Sequence, residues 1–318
     1  MNSRVSIIIP CREINSYARE SIEHCLSLDY PDFEVLLLPD SEQDIDSLNV
    51  RVIPTGPIGP SEKRDLALNH ASGEILAFID DDAYPSECWL REAVKHFKDD
   101  EVAAVGGPAV TPPGDSLLQK ASGFVYSSFL GSGSLGFRYI PKGQREVDDY
   151  PSCNFVIKRS FFQESGGFNT LFWPGEDTKL CLEITNKLHK KIIYDPRVLV
   201  YHHRRSLFRP HLRQIWSYAV HRGYFAKKFP QNSRRVSFLL PSLFCLGLLF
   251  GIVASLLNPI LRMIFLSVIA VYLLVALCSS LQSKDIRITP LMFSGIITTH
   301  LTYGTGFIKG LLTRRLAR

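Results

Sequence analysis

The chain has 318 residues, of which 46% are hydrophobic and 21% charged, and its mean hydropathy of +0.05 lies between the soluble and membrane classes. Length allows two domains, and this apolar content excludes disorder as the main state. Charge is divided unevenly: residues 1–201 hold 20 Lys+Arg and 30 Asp+Glu, whereas residues 202–318 hold 16 and 1. An acidic first part joined to a basic, apolar second part argues against a single soluble domain. It also argues against a nucleic-acid binder, because the basic residues sit beside long apolar runs and form no aromatic-basic surface module.

Along the chain, Val5 to Ile9 is a buried-strand run that ends at Pro10, too short for the apolar region of a signal peptide. A helical stretch from about Ser16 to Leu28 follows, then strand runs at Phe33 to Leu38, Val50 to Ile53 and Ile75 to Ile79. Between the last two lies a helix over Ser61 to Ala71, for which Ser61 is the expected N-cap after Pro60. Glu87 to Phe97 predicts a helix and Val102 to Val105 a strand. Strands alternating with helices predict an α/β fold with a mostly parallel sheet, whose ligands bind beyond the carboxyl ends of the strands. Pro10 to Glu13, Pro39 to Ser41 and Asp80 to Asp82 should therefore converge on one crevice.

Thr111 to Tyr150 is rich in Gly, Ser and aromatics without a clean period, which suggests loops or a poorly regular subdomain over the crevice. Strand character resumes at Cys153 to Ile157; Glu176 to Leu188 reads as a helix, and Lys191 to Tyr194 and Val198 to Tyr201 as short strands. The seven cysteines are scattered with no C-x-x-C pair, so neither a zinc site nor a disulfide framework is indicated and a reducing compartment is expected.

Beyond Tyr201 the pattern changes. His202 to Arg235 holds nine Lys+Arg and no acid, interleaved with aromatics, as in a segment lying on an anionic membrane surface or in a solvated basic helix. Val236 to Leu257 carries no charge, and Ile260 to Leu281 carries only Arg262, so both are long enough to cross a bilayer, joined by an Asn258-Pro259 turn. Ile288 to Leu312 carries Pro290, His300, Lys309 and four glycines. It reads as a third span, a re-entrant piece or an interfacial helix. Residues 1–205 are thus expected to form the α/β domain that holds the crevice, 206–235 a basic membrane-surface linker and 236–318 an all-α membrane region.

Three features carry chemistry. Asp80-Asp81-Asp82 follows a strand, where successive carboxylates repel one another unless a cation neutralises them; a hard divalent ion gripping a diphosphate would do so, and an acidic loop with Asp82 capping a helix is the alternative. Gly175-Glu176-Asp177 opens a helix, where an acid often only caps. His202 and His203 end a short strand and could complete a metal site or begin the basic segment.

In this order the residues resemble family 2 glycosyltransferases of the GT-A fold over about Arg4 to Arg235. The stretches are Val5 to Pro10, Arg64 to Ala67, Ala71 to Leu76, Phe78 to Asp82 with Trp89-Leu90, Asn154 to Arg159, Gly166-Gly167-Phe168, Gly175 to Asp177 and Asp195-Pro196 to His202. The resemblance implies a D-x-D pair, Asp80 and Asp82, holding Mg²⁺ or Mn²⁺ with His202, His203 being the alternative. It implies Asp177 as catalytic base, with Glu176 beside it. Asp40 should bond the nucleobase, although Pro39 stands where the family more often has a first acid. Pro10, Arg12, Glu13, Arg64 and Asp81 should line the donor site. The reaction implied is inverting transfer from a nucleotide-sugar, expected to be UDP-linked, to a hydroxyl of a lipid-linked or other saccharide.

Arg234 and Arg235 before the first span favour a catalytic domain on the cytoplasmic side of an inner membrane. Arg314, Arg315 and Arg318 resist placement outside, so an interfacial or re-entrant last segment is expected in preference to a full third span. Two rival readings are a synthase acting on polyprenyl phosphate, which needs no base, and a non-catalytic nucleotide-sugar-binding scaffold. A processive synthase is disfavoured, because Arg213-Gln214-Ile215-Trp216 has the residue types of Q-x-x-R-W in the wrong order.

Overall fold

The computed structural model describes residues 3–45, 49–170 and 172–316. In chain order its elements are β1 (Val5–Pro10), α1 (Ser16–Leu26), β2 (Phe33–Leu38), β3 (Val50–Val52), α2 (Pro60–Ala67), β4 (Ile75–Ile79), β5 (Ala83–Pro85), α3 (Trp89–Val94), β6 (Val102–Gly106) and β7 (Ala109–Val110). Then come α4 (Leu117–Ser127), α5 (Phe129–Ser132), β8 (Arg145–Val147), β9 (Asn154–Lys158), α6 (Arg159–Glu164), α7 (Glu176–Leu182), β10 (Lys191–Tyr194) and β11 (Val200–His202). The last five are α8 (Arg209–Lys228), α9 (Pro230–Ser233), α10 (Val236–Leu257), α11 (Pro259–Ser280) and α12 (Ile288–Leu312).

The chain divides into two compact units. The first takes the described residues up to Val110 together with Ile140–His203; the second takes Thr111–Tyr139 and the described residues from Arg204 onward. The second unit thus includes a segment that a linear division at residue 205 gives to the first.

In the first unit an eight-stranded sheet has the order β3-β2-β1-β4-β9-β6-β10-β8. β1 pairs in parallel with β2 and β4, and β2 with β3, whereas β9 runs antiparallel between β4 and β6. All residues of β1 and β4 are buried, the expected state of central strands covered on both faces, and the reason both read as unbroken apolar runs. Register then fixes the crevice. Pro10 lies opposite Leu38 and Ile8 opposite Phe78, so the β1, β2 and β4 chains leave the sheet along one edge. The Asp40 N–H donates to the Arg12 carbonyl at 3.0 Å, which joins the first two of those exits.

The start of α2 corrects one expectation. Pro60 is the first helical residue and Gly59 the cap, whose N–H donates to Glu62 Oε2 at 2.9 Å; Ser61 is already inside the helix. Proline suits this position because its missing N–H would be unpaired there anyway.

The second unit is helical. Residues 111–139 are not irregular loops: α4 is capped by Ser116, and its Ser122 Oγ lies 2.8 Å from His211 Nδ1 on α8. The other ring nitrogen of His211, Nε2, lies 2.9 Å from Thr299 Oγ1 on α12. α8 and α12 run parallel and very close: a Cβ on Gly223 would sit 2.2 Å from the Phe307 carbonyl oxygen, and one on Gly310 would sit 2.1 Å from that of Val220. Small residues permit this approach, as in helix pairs packed within lipid. Among the described residues, α10 and the helix beginning at Pro259 are long and apolar enough to cross a membrane.

Candidate active site

β4 delivers Asp80 to the crevice, and a turn closed by Ala83 N–H donating to Asp80 O at 3.1 Å leads into β5. β5 then pairs antiparallel with β11 so that His202 lies opposite Ala83, next to Asp82. His202 Nε2 is 3.0 Å from Asp82 Oδ1, and the His203 N–H donates to the Asp82 carbonyl at 2.9 Å. A strand therefore follows the aspartates, and Asp82 engages His202. One ligand atom from each of Asp80, Asp82 and His202 falls within 4.8 Å of the others. Two carboxylates and an imidazole form a donor set that suits a hard divalent cation such as Mg²⁺ or Mn²⁺. Burial opposes the imidazolium form of His202, but Asp82, helped by the Cys153 thiol, outweighs burial and raises the pKa to about 10.

Arg64 links this cluster to the start of α7. Its guanidinium donates to Asp80 Oδ1 at 2.6 Å and to Glu176 Oε1 at 3.2 Å, and the side chain is 3% exposed. Burial and the neighbouring Asp177 push the Glu176 carboxyl up, while Arg64 pulls it back. Gly175, at φ +116°, turns the chain into α7 in a conformation that favours glycine. Asp177 is half-buried, and its Oδ1 accepts from the Thr178 N–H at 2.7 Å. Glu176 is thereby committed to Arg64, and Asp177 is the more accessible of the two.

The Gly166-Gly167-Phe168 motif holds Arg64 from behind. Phe168 N–H donates to Asp65 Oδ1 at 2.8 Å, and the Arg64 guanidinium carbon stands 5.4 Å from the Phe168 ring centroid. Gly167 has φ +66°, and a Cβ there would lie 2.5 Å from Asp65 Oδ1. Burial raises the Asp65 carboxyl to about 6, against the Phe168 N–H and Arg64, which lower it.

At the other end of the crevice sits a residue that sequence reasoning missed. Lys63, 2% exposed, donates through Nζ to the Cys11 carbonyl at 2.6 Å and the Leu38 carbonyl at 3.0 Å, and pairs with Asp40 Oδ1. Its signal was present: a lysine next to Arg64 on a helix facing the strand ends. Arg12 and Glu13 are exposed at the same edge, Pro10 ends β1, and Asp81 is half-buried between Asp80 and Asp82. His203 takes a different role from His202: its Nε2 is 2.8 Å from Glu20 Oε2 and its ring stacks on Tyr17 at 4.3 Å.

The remaining motif residues are structural. Buried Asn154 donates to the Gly107 and Val198 carbonyls at 2.7 and 2.8 Å and accepts from Trp89 Nε1 at 2.8 Å, so β9 is tied to the β7 and β11 approaches. Asp195 accepts from Arg197 and lies 2.7 Å from His96 Nε2, just before β11.

An α/β sheet with an aspartate cluster at the end of a central strand, an antiparallel return strand and a buried arginine at a helix entrance defines a glycosyltransferase of the GT-A fold. The family model for glycosyl transferase family 2 matches residues 6–166, and the chain belongs to that family. A pre-mycofactocin glycosyltransferase of Mycobacterium tuberculosis is 28% identical over 55% of this chain, which covers 36% of that protein. A dolichyl N-acetyl-alpha-D-glucosaminyl phosphate 3-beta-D-2,3-diacetamido-2,3-dideoxy-beta-D-glucuronosyltransferase of Methanococcus voltae is 22% identical over 97% of each chain. Among solved structures, the mannosyltransferase PcManGT of Pyrobaculum calidifontis, in complex with GDP-Man and Mn2+, shares the fold with a TM-score of 0.56. It is 20% identical and covers 95% of this chain, which covers 87% of it.

Proposed function

We propose that this glycosyltransferase is an inverting, membrane-anchored enzyme that moves a sugar from a nucleotide-sugar, with UDP as carrier, to a hydroxyl of a lipid-linked saccharide. The observation that carries the reading is the Arg64 bridge, which sets Asp80 of the aspartate cluster and Glu176-Asp177 on two sides of one guanidinium.

In this reading Asp177 accepts the proton of the acceptor hydroxyl as its oxygen bonds to the anomeric carbon. The bond from that carbon to the diphosphate breaks in the same step, with inversion, and the nucleoside diphosphate leaves with the electron pair. Asp80, Asp82 and His202 would hold Mg²⁺ or Mn²⁺, which when bound offsets charge growing on the leaving group. Arg64 keeps Glu176 out of the proton transfer and holds the helix entrance. Asp40, oriented by Lys63, takes the nucleobase, and Pro10, Arg12, Glu13 and Asp81 line the donor.

Two relatives favour a lipid-linked acceptor by name: the Methanococcus voltae enzyme and a glucosyl-dolichyl phosphate glucuronosyltransferase of Haloferax volcanii, 23% identical over 63% of this chain. The exposed apolar helices α10 and α11 fit a bilayer anchor, and Arg234 and Arg235 before α10 favour a catalytic unit on the cytoplasmic face of an inner membrane. The test is a panel of nucleotide-sugars with Mn²⁺ or Mg²⁺ and purified protein in detergent, offered prenyl-linked saccharides or prenyl phosphate. Metal-dependent transfer to a saccharide hydroxyl supports the reading. Transfer to the bare prenyl phosphate would replace it with a synthase, and donor binding without transfer would leave a scaffold.

A further inference from the structure

We propose that α12 is an in-plane membrane helix. With α8 it lies along the headgroups of an anionic bilayer, across the open end of the α10–α11 hairpin, and does not form a third crossing. The inference rests on the membrane anchoring proposed above.

The order of α12's neighbours carries it. Near its start, Thr289 Oγ1 reaches the Ser280 carbonyl at the end of α11, and Met292 and Ile296 pack with Ala276. In its middle, His300 Nδ1 is 2.9 Å from Tyr272 Oη on α11, while the Cys245 thiol of α10 approaches the His300 carbonyl at 3.9 Å. Near its end, Ser242 Oγ donates to the Gly304 carbonyl at 3.0 Å, and Phe307 packs with Phe238. α12 therefore passes from the last turns of α11 to the first turns of α10. A crossing helix that started beside the end of α11 would finish near the Asn258-Pro259 turn. This one finishes where α10 begins, on the side from which the hairpin enters.

Towards the turn, Leu256 and Leu257 are 74% and 79% exposed, and Ile260 and Met263 are 68% and 71% exposed. Apolar side chains stay exposed along both helices as far as Val236 (72%) and Leu281 (58%), so lipid tails surround the hairpin wherever α12 does not cover it. α10 and α11 have 22 residues each, about 33 Å at 1.5 Å per residue, enough for a hydrocarbon core of about 30 Å when the apolar side of α12, which reaches Cys245 and Tyr272, is sunk into the headgroup–acyl boundary beside them. On α8, Arg209, Arg213, Trp216 and Tyr218 are exposed, with Trp216 at the edge of the α12 contact beside Gly306, where Lys309 of α12 stands over its ring at 5.3 Å. Cations mixed with Trp and Tyr suit the headgroup layer, and a count of 16 Lys+Arg to 1 acid over residues 202–318 selects anionic lipid.

The experiment uses the full chain with one epitope tag at each end, in sealed inside-out and right-side-out vesicles treated with protease. Both tags should be lost from one orientation and both protected in the other. Opposite fates for the two tags would mean three crossings and overturn the proposal. Loss of both tags from both orientations, with release by carbonate, would overturn the anchoring itself. A second measurement reads depth in phosphatidylglycerol vesicles from the quenching that disappears in Trp216→Phe. Lipid brominated near the headgroup should quench this signal more than lipid brominated near the bilayer centre. The reverse order would place α8 in the core and overturn the proposal. The double variant Arg209→Glu/Arg213→Glu should lose at least half of the shallow quenching in phosphatidylglycerol but not in phosphatidylcholine; an equal response in both lipids would remove the anionic headgroup assignment.

Discussion

Lys63 and Arg64, consecutive on α2, carry their charges to carboxylates at two different stations of the crevice: Lys63 to Asp40 and Arg64 to Asp80. One short helix thus ties the exit of β2 to the exit of β4. Lys63 also satisfies two strand-end carbonyls, so its removal would leave buried acceptors unpaired and let Asp40 swing. Lys63→Met should weaken donor affinity about tenfold to a hundredfold, or roughly 1.4 to 2.7 kcal/mol, with a smaller change in kcat. Donor titration beside single-turnover rates checks this, and an unchanged affinity would dissociate Asp40 from base recognition.

The aspartate cluster predicts a graded series. Asp82→Ala removes the carboxylate nearest His202 and should abolish metal-dependent transfer, and chelation of wild-type protein should do the same until Mn²⁺ or Mg²⁺ is restored. His202→Ala should lower activity less severely, since Asp80 and Asp82 remain. His203 contacts Glu20 and Tyr17, so His203→Ala should cost least. Metal-titrated turnover of the three variants gives the order, and a larger loss at His203 than at His202 would reassign the imidazole ligand.

How far the sequence was legible follows from how locally each feature is encoded. β1, β2 and β4 were readable because central parallel strands are buried on both faces and appear as apolar runs. The insertion of β9 between β4 and β6 was not, because an antiparallel neighbour 75 positions from its partner leaves no local trace: Ile79 pairs with Asn154. α4 was missed for another reason. It buries Ser122 and Gly123 along with Ala121 and Val125, and Ser122 pairs with His211, far along the chain, so the stripe of Leu117, Ala121, Phe124 and Val125 is interrupted by small and polar residues whose burial depends on tertiary contacts. At the site, Asp80, Asp82, Glu176 and Asp177 stood out as acids at element ends. Lys63 did not, because a lysine opening a helix looks solvated until the strand-end carbonyls are brought to it.

Gly167 tests the support behind Arg64. Gly167→Ala places a methyl group against Asp65 Oδ1 at a positive φ, so both backbone strain and the lost Phe168–Asp65 bond contribute. A destabilisation of about 2 kcal/mol or more is expected. Denaturant unfolding should register it, and wild-type stability would show that the turn can relax without moving Asp65.

Asp195 sets an acid limit on the β11 region. Burial alone would raise its carboxyl, but Arg197 and His96 outweigh burial and hold it at about 2, against an ordinary value of 3.8. A depressed acid contributes stability that is complete above its unfolded value and is lost as pH falls through the folded one. The Asp195 contribution should therefore be constant above about pH 4 and disappear towards about pH 2. Asp195→Asn should remove that acid transition and destabilise the protein at neutral pH by about 1.5 to 3 kcal/mol, the usual worth of hydrogen bonds to a charged group, since the carboxylate is buried but Arg197 is more than half exposed. Unfolding followed from pH 2 to 7 in both proteins checks the sign; identical profiles would show that His96 and Arg197 find other partners.

The assignment of the base turns on the difference between Glu176 and Asp177. Glu176 is 5% exposed and bonded to Arg64, whereas Asp177 is more open and one step further along α7. Asp177→Asn keeps the shape and the acceptor for Thr178 N–H but cannot take a proton. Donor affinity should stay near wild type while transfer to a hydroxyl falls by roughly 10² to 10⁴, the usual worth of general base catalysis. Glu176→Gln should act differently, by weakening the Arg64 bridge, and should be the milder change. Were the acceptor a prenyl phosphate, already ionised, Asp177→Asn would cost little and would remove a negative charge facing an anionic nucleophile. Transfer rate and donor affinity of both variants with one acceptor separate these outcomes, and near-wild-type transfer by Asp177→Asn would transfer the case to the phosphate acceptor.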